Sequence, residues 1–147
     1  MSRPLDSTLT LYIVLGFFTV FPLIWILVIQ IISLASGWKS LAFQFRTRQK
    51  APENTRYSVS GMMGISRYNG VLNVGFNQMG LYLSVIFLFR PGQPPLLIPW
   101  EEIAKIEPGK WIFFGKVYRI YTKKGVTIMI PSKYLQGIGD YFPLAEE

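Results

Sequence analysis

Side chains able to do covalent or acid–base chemistry are scarce in this sequence and badly spaced for it. The 147 residues include no histidine and no cysteine. This removes imidazole catalysis, thiol nucleophiles, disulfides and Cys/His zinc sites together. Of eight carboxylates, only Glu101, Glu102 and Glu107 cluster. Adjacent side chains diverge in an extended turn, so Glu101 and Glu102 read as solvated turn carboxylates and not as an acid–base pair. The glycines form neither G-x-x-x-x-G-K-[ST] nor G-x-G-x-x-G, so no phosphate cradle is written here. The sequence therefore predicts no catalytic residue, no metal site, no cofactor, no small-molecule substrate and no enzyme.

What remains is surface. In "PGKWIFFGKVYR", Trp111, Ile112, Phe113 and Phe114 follow one another between Lys110 and Lys116, with Arg119 close behind. A strand buries alternate residues, so two of the four should face away from the core. They either pack beneath another element or form an aromatic patch rimmed by lysines, suited to a membrane or a partner. Lys123 and Lys124 add two cations at a later turn. These eight residues (Lys110, Trp111, Phe113, Phe114, Lys116, Arg119, Lys123 and Lys124) are the expected partner or lipid contacts.

The elements that must position this surface begin with an anchor. Half of the residues are hydrophobic and only 16% charged, against roughly a quarter charged in average soluble domains. The deficit lies near the N-terminus, where Ser7 to Trp38 carries no charge. Leu11 to Leu34 exceeds the ~20 apolar residues that a span requires. A signal peptide has a shorter apolar run, a basic start and a small-residue cleavage site, and a buried soluble helix is rarely apolar on every face. The reading is an N-terminal tail over 1–8 and a transmembrane helix over 9–36, kinked near Phe18–Pro22. Before the span stand Arg3 and Asp6; after it come Lys39, Arg46, Arg48, Lys50 and Arg56 against Glu53. The positive-inside bias puts the N-terminus outside and the C-terminal part in the cytoplasm. The same flank explains much of the net charge of +7, so nucleic acid is not an expected partner.

Residues 37–56 form a basic collar and linker. On a helix, Trp38, Leu41, Ala42 and Phe45 fall on one stripe. The expectation is an interfacial helix whose apolar side (Trp38, Leu41, Phe45) faces lipid while Lys39, Arg46 and Arg48 meet the phosphates.

Residues 57–147 read as one β-rich domain. In "VLNVGFNQMGLYLSV" a loop over Asn77–Gly80 pairs Phe76 with Leu81, Val74 with Leu83 and Leu72 with Val85. In "VYRIYTKKGVTIMI" a loop Lys123-Lys124-Gly125, its glycine left-handed, pairs Thr122 with Val126, Ile120 with Ile128 and Tyr118 with Ile130. Both registers put the apolar set on one face. Between the hairpins, Leu96-Leu97-Ile98 fills a strand that Pro99 ends. Glu101 and Glu102 turn, Ile103 and Ile106 return to the core, and Pro108-Gly109 turns again. Tyr134, Leu135, Ile138, Tyr141 and Phe142 are at helical spacing behind Ser132, predicting a C-terminal helix packed on the sheet.

A meander of six or seven antiparallel strands, as a sandwich or partly open barrel with a C-terminal helix, resembles the bacterial PH-like and GRAM-like domains. The matching pieces are "LNVGFNQMGLYLS", "LLIPWEEIAKIE" and "SKYLQGIGDYF", together covering about Tyr57 to Phe142. An OB- or SH3-like barrel is the alternative, with no seat for the last helix. The resemblance implies a non-catalytic module behind a single span. The expected function is a small accessory, assembly or scaffold subunit contacting an integral membrane protein or complex. The alternative is an anionic-lipid sensor using the hairpin cations, although the first hairpin tip, "NQMG", is uncharged.

Overall fold

The computed structural model describes residues 6–145; residues 1–5 of the expected tail and the last two residues, 146–147, lie outside them. One long helix, α1 (Ser7–Ser36), is followed by a short one, α2 (Trp38–Phe45), and a seven-stranded antiparallel sheet. Asp6 caps α1 by accepting the Thr8 N–H at 3.3 Å. Gly37, at φ +82°, ends it in the left-handed conformation that frees a helix to stop and turn. With 30 residues and a mean hydropathy of 2.5 over its most apolar window, α1 is long and apolar enough to cross a membrane. Pro22 lies inside it, and the Thr19 hydroxyl donates to the Leu15 carbonyl at 2.7 Å.

The strands are β1 (Arg56–Met63), β2 (Ser66–Asn77), β3 (Gly80–Val85), β4 (Leu96–Pro99), β5 (Ile103–Trp111), β6 (Gly115–Thr122) and β7 (Thr127–Pro131). Their order in the sheet is β4-β3-β2-β1-β7-β6-β5, and the sheet curls into a half-barrel around one apolar core. Both predicted hairpin registers are present: Leu72 faces Val85, Val74 faces Leu83 and Phe76 faces Leu81; Tyr118 faces Ile130 and Ile120 faces Ile128. Gly125 is left-handed at φ +83°. The two edge strands, β4 and β5, carry Pro99 and Pro108, where a missing N–H breaks no interior ladder.

Three expectations are corrected. Pro108-Gly109 does not turn: β5 runs through it, with Pro108 opposite Tyr118 and Gly109 opposite Val117. The C-terminal helix does not form. Its residues make two 3₁₀ turns, Ser132–Tyr134 and Ile138–Asp140, separated by left-handed Gly137. Leu135 and Ile138 are nevertheless buried, so the apolar spacing serves packing without an α-helix. Lastly, the collar helix faces the protein. Trp38, Leu41 and Ala42 are in the core, Phe45 packs on its margin, and Phe43 is 88% exposed instead. The Trp38 indole N–H donates to the Pro94 carbonyl at 2.8 Å, and its ring lies 6.0 Å from that of Tyr68. The helix seated against the β4 end of the half-barrel is thus the collar.

Candidate interaction site

Two regions hold the residues singled out by the sequence: the β5–β6 hairpin tip and the junction between α1 and the sheet. At the tip, Ile112 to Phe114 form the turn between β5 and β6, so the strand alternation expected for "WIFF" does not apply. A turn splays its side chains, leaving Ile112 91% and Phe113 63% exposed while Trp111 and Phe114 are half-buried. The Arg67 guanidinium lies 4.4 Å from the Phe113 ring centre and 5.3 Å from that of Phe114, within the range of cation–π attraction. The Trp111 and Phe113 rings are 6.4 Å apart. The Trp111 indole N–H is shut from solvent with no acceptor among the described residues. Such a donor costs about 1–3 kcal/mol.

Among the described residues neither tip lysine pairs with an acid, and the hairpin's ion pair lies farther along its strands. Lys110 sits opposite Lys116, and Arg119 donates to the Lys110 carbonyl at 3.3 Å. Lys105 and Glu107 form an ion pair at 2.9 Å, the sole one among the described residues. Tyr121 donates to the same carboxylate at 2.7 Å. The Tyr121 hydrogen bond and then Lys105 hold the Glu107 carboxyl below its ordinary range. The carboxylate in turn raises Tyr121 and Lys105 above theirs.

The structure brings Lys110, Trp111, Phe113, Phe114, Lys116 and Arg119 together but splits off Lys123 and Lys124. These two sit at the far end of β6, seven residues from Lys116, or about 23 Å of strand. There Val126 packs against Gly37, and the Lys123 N–H donates to the Glu102 carbonyl at 2.8 Å. Arg67 was missed in the sequence. Nothing local in "GISRYNG" connects it to a hairpin some 45 positions away.

At the junction, the last turns of α1 are docked into the domain. Ile29, Ser33 and Ser36 are buried. The Ser33 hydroxyl donates to the Gly92 carbonyl at 2.6 Å, and the Ser36 hydroxyl accepts the Trp38 N–H at 3.2 Å. Gly64, left-handed at φ +57° in the β1–β2 turn, abuts the Ala35 and Ser36 carbonyls, and a Cβ there would meet the Ser36 oxygen at 2.7 Å. The Tyr68 hydroxyl donates to Gln93, which donates in turn to the Phe89 carbonyl at 3.1 Å. Burial pushes the Tyr68 phenol up to about 12, partly offset by the neighbouring Ser36 hydroxyl. The β3–β4 loop climbs along α1 as far as Trp25, whose indole N–H donates to the Leu88 carbonyl at 2.9 Å. Of the expected membrane-facing set, Trp38 and Leu41 are therefore corrected to core residues, whereas Lys39, Arg46 and Arg48 are exposed.

No clustered metal-binding set of His, Cys, Asp or Glu occurs among the described residues. The chain matches no protein-family model, no curated protein and no solved structure closely enough to show a family or a shared fold.

Proposed function

We propose that this protein is a membrane-tethered, non-catalytic interaction module, an accessory or scaffold subunit whose β5–β6 tip contacts an integral membrane protein. The exposed Ile112–Phe113 pair carries this reading. Two large apolar side chains stand out at a turn braced from behind by Arg67, Trp111 and Phe114. Aromatic anchors with an arginine neighbour are the composition enriched at energetically dominant protein contacts. Arg67 also borders a hollow of about 180 Å³ with Ile32 of α1 and Phe89. The tip is therefore held near the level of the helix end, where a partner embedded in the same bilayer presents its own surface. The cytoplasmic placement of the domain rests on the cations after α1. Kinship with PH-like or GRAM-like domains is supported by the curled seven-stranded antiparallel sheet, two runs of hairpins joined through β1 and β7 and not one continuous meander, and lacks the closing C-terminal helix.

A photo-crosslinking residue at position 113, introduced into the full chain in its native membrane, tests the proposal. One adduct of defined protein mass is expected, absent when the probe is moved to Glu101. The same yield at both positions, or adducts with lipid alone, would refute it.

A further inference from the structure

A helix of 30 residues is about 45 Å long, whereas the hydrocarbon layer takes about 20 residues, or 30 Å. Some ten residues of α1 are surplus to a crossing. The buried residues of α1, Ile29, Ser33 and Ser36, all fall within its last eight positions, while nearly every side chain from Ser7 to Val28 is exposed. The domain thus covers one face of the surplus, Ile31 and Leu34 on the other face staying exposed, and this covered face sets the hydrocarbon boundary near Trp25–Gln30, a full two turns before Gly37. Trp25 then occupies the level favoured by interfacial tryptophans. Its hydrogen bond satisfies the Leu88 carbonyl, as non-helical backbone at that depth requires. Phe87 and Leu88, 79% and 59% exposed, point off the same loop.

At this level a cavity of about 450 Å³ opens between α1, α2 and the β3–β4 loop. Gln30, Lys39, Phe43, Arg46 and Arg90 line it, and no carboxylate does. Lys39 and Phe43 lie at i and i+4 on one face of α2, and Arg46 follows its last residue in extended backbone bridged to Leu96. Arg90 is anchored by its Nε donating to the Val85 carbonyl at 3.1 Å, which leaves its terminal nitrogens uncommitted to that bond. None of the three cations pairs with an acid among the described residues. One turn deeper along α1 is a second hollow, about 480 Å³, lined by Phe21, Pro22, Trp25, Ile26 and Leu88. Pro22, Ile26 and Gln30 are at i, i+4 and i+8, so the cationic cavity and the apolar hollow share one face of the helix.

We infer that this pair of cavities is a seat for one anionic glycerophospholipid, with its phosphate among Lys39, Arg46 and Arg90 and an acyl chain along Pro22, Ile26 and Leu88. Basic pockets beside a span at the cytoplasmic interface are suited to anionic headgroups. Three unpaired cations favour a net negative headgroup over a zwitterion. The apolar hollow favours a lipid over free phosphate. The inference rests on α1 being the span and is independent of the hairpin-tip contact.

Full-length protein in neutral detergent, given equal phosphatidylglycerol and phosphatidylcholine and read by native mass spectrometry, tests it. Wild type should retain phosphatidylglycerol preferentially. The K39Q/R46Q variant, which keeps the Arg90 anchor, should lose about fivefold in affinity per cation, or roughly twenty-five-fold. K123Q/K124Q should bind like wild type, and millimolar inorganic phosphate should not displace the lipid. Equal retention of the two lipids, or unchanged binding by K39Q/R46Q, overturns the seat. Displacement by phosphate alone overturns the lipid in favour of a soluble anion. Melting curves establish that the variants are folded, and single K39Q, at an exposed position, replaces the pair if they are not. A protein that leaves native membranes in carbonate without detergent would sink the span itself, a result distinct from loss of lipid preference.

Discussion

Replacing Trp38 distinguishes a collar that packs into the β domain from one that lies on lipid. Trp38 is fully buried between α2 and the sheet, with its indole N–H on the Pro94 carbonyl. A buried aromatic removes about 150–250 Å² from water. At about 25 cal/mol per Å² this is roughly 4–6 kcal/mol, in line with the 3–5 kcal/mol typical of Trp→Ala in cores. Trp38→Ala should therefore remove a large part of the domain's stability. Trp38→Phe retains most of the apolar surface and strands the Pro94 carbonyl, for about 1–3 kcal/mol. For a β domain of this size, each kcal/mol lowers Tm by about 4–8 °C. Phe43→Ala, only five positions away but 88% exposed, should change stability by less than about 0.5 kcal/mol. Melts of the three full-length variants in one detergent give the comparison. Equal losses for Trp38→Ala and Phe43→Ala, or a larger loss at Phe43, would refute the packing argument.

Gly64→Ala puts a Cβ 2.7 Å from the Ser36 oxygen in a left-handed residue. Gly125→Ala adds the same strain in open space, about 1 kcal/mol. Denaturant titration should therefore show Gly64→Ala to be the more damaging, with easier proteolysis near Gly37. Tyr68 titrates near 12 in the fold against about 10 unfolded. Its neutral form thus stabilises the native state below pH ~10, and about 2–3 kcal/mol is lost as pH rises towards 12. Stability measured against pH should fall over that window and be flatter there in Tyr68→Phe, which also forfeits the bond to Gln93 at every pH. Ile112→Asp and Phe113→Asp should leave the melting curve within about 0.5 kcal/mol of wild type while abolishing the adduct from a crosslinker placed at Phe114.

The hairpins were legible because two local signals agree at each. Alternation fixes the buried face, and the turn residues (Asn77 to Gly80, and Lys123-Lys124 before left-handed Gly125) fix the register. The membrane-length helix was legible from its unbroken apolarity. The fate of the collar was not, because the stripe Trp38-Leu41-Ala42-Phe45 says that something covers it without saying whether sheet or lipid does. The C-terminal spacing misled for a similar reason. Leu135 and Ile138 are both needed by the core, but Gly137 breaks the helix between them. The strand through Pro108-Gly109 depends on β5 being an edge, a property of the whole sheet. The tip and the cationic cavity were illegible in a stronger sense. Arg67 and Phe113 are 46 positions apart, and Gln30, Lys39 and Arg90 span 60, so only the curled sheet and the climbing β3–β4 loop make neighbours of them.

The docking of the last turns of α1 has a mechanical consequence. With Ser33, Ser36 and Gly64 locking rod to sheet, no free hinge lies between anchor and head. The head cannot swivel about its stalk, and with α1 spanning a bilayer as proposed, its compass heading follows the rotation of the rod in that plane. Under the proposed function, encounters then become a planar search at constant altitude, in which lateral diffusion supplies the collisions and the bearing of the hairpin decides which of them are productive.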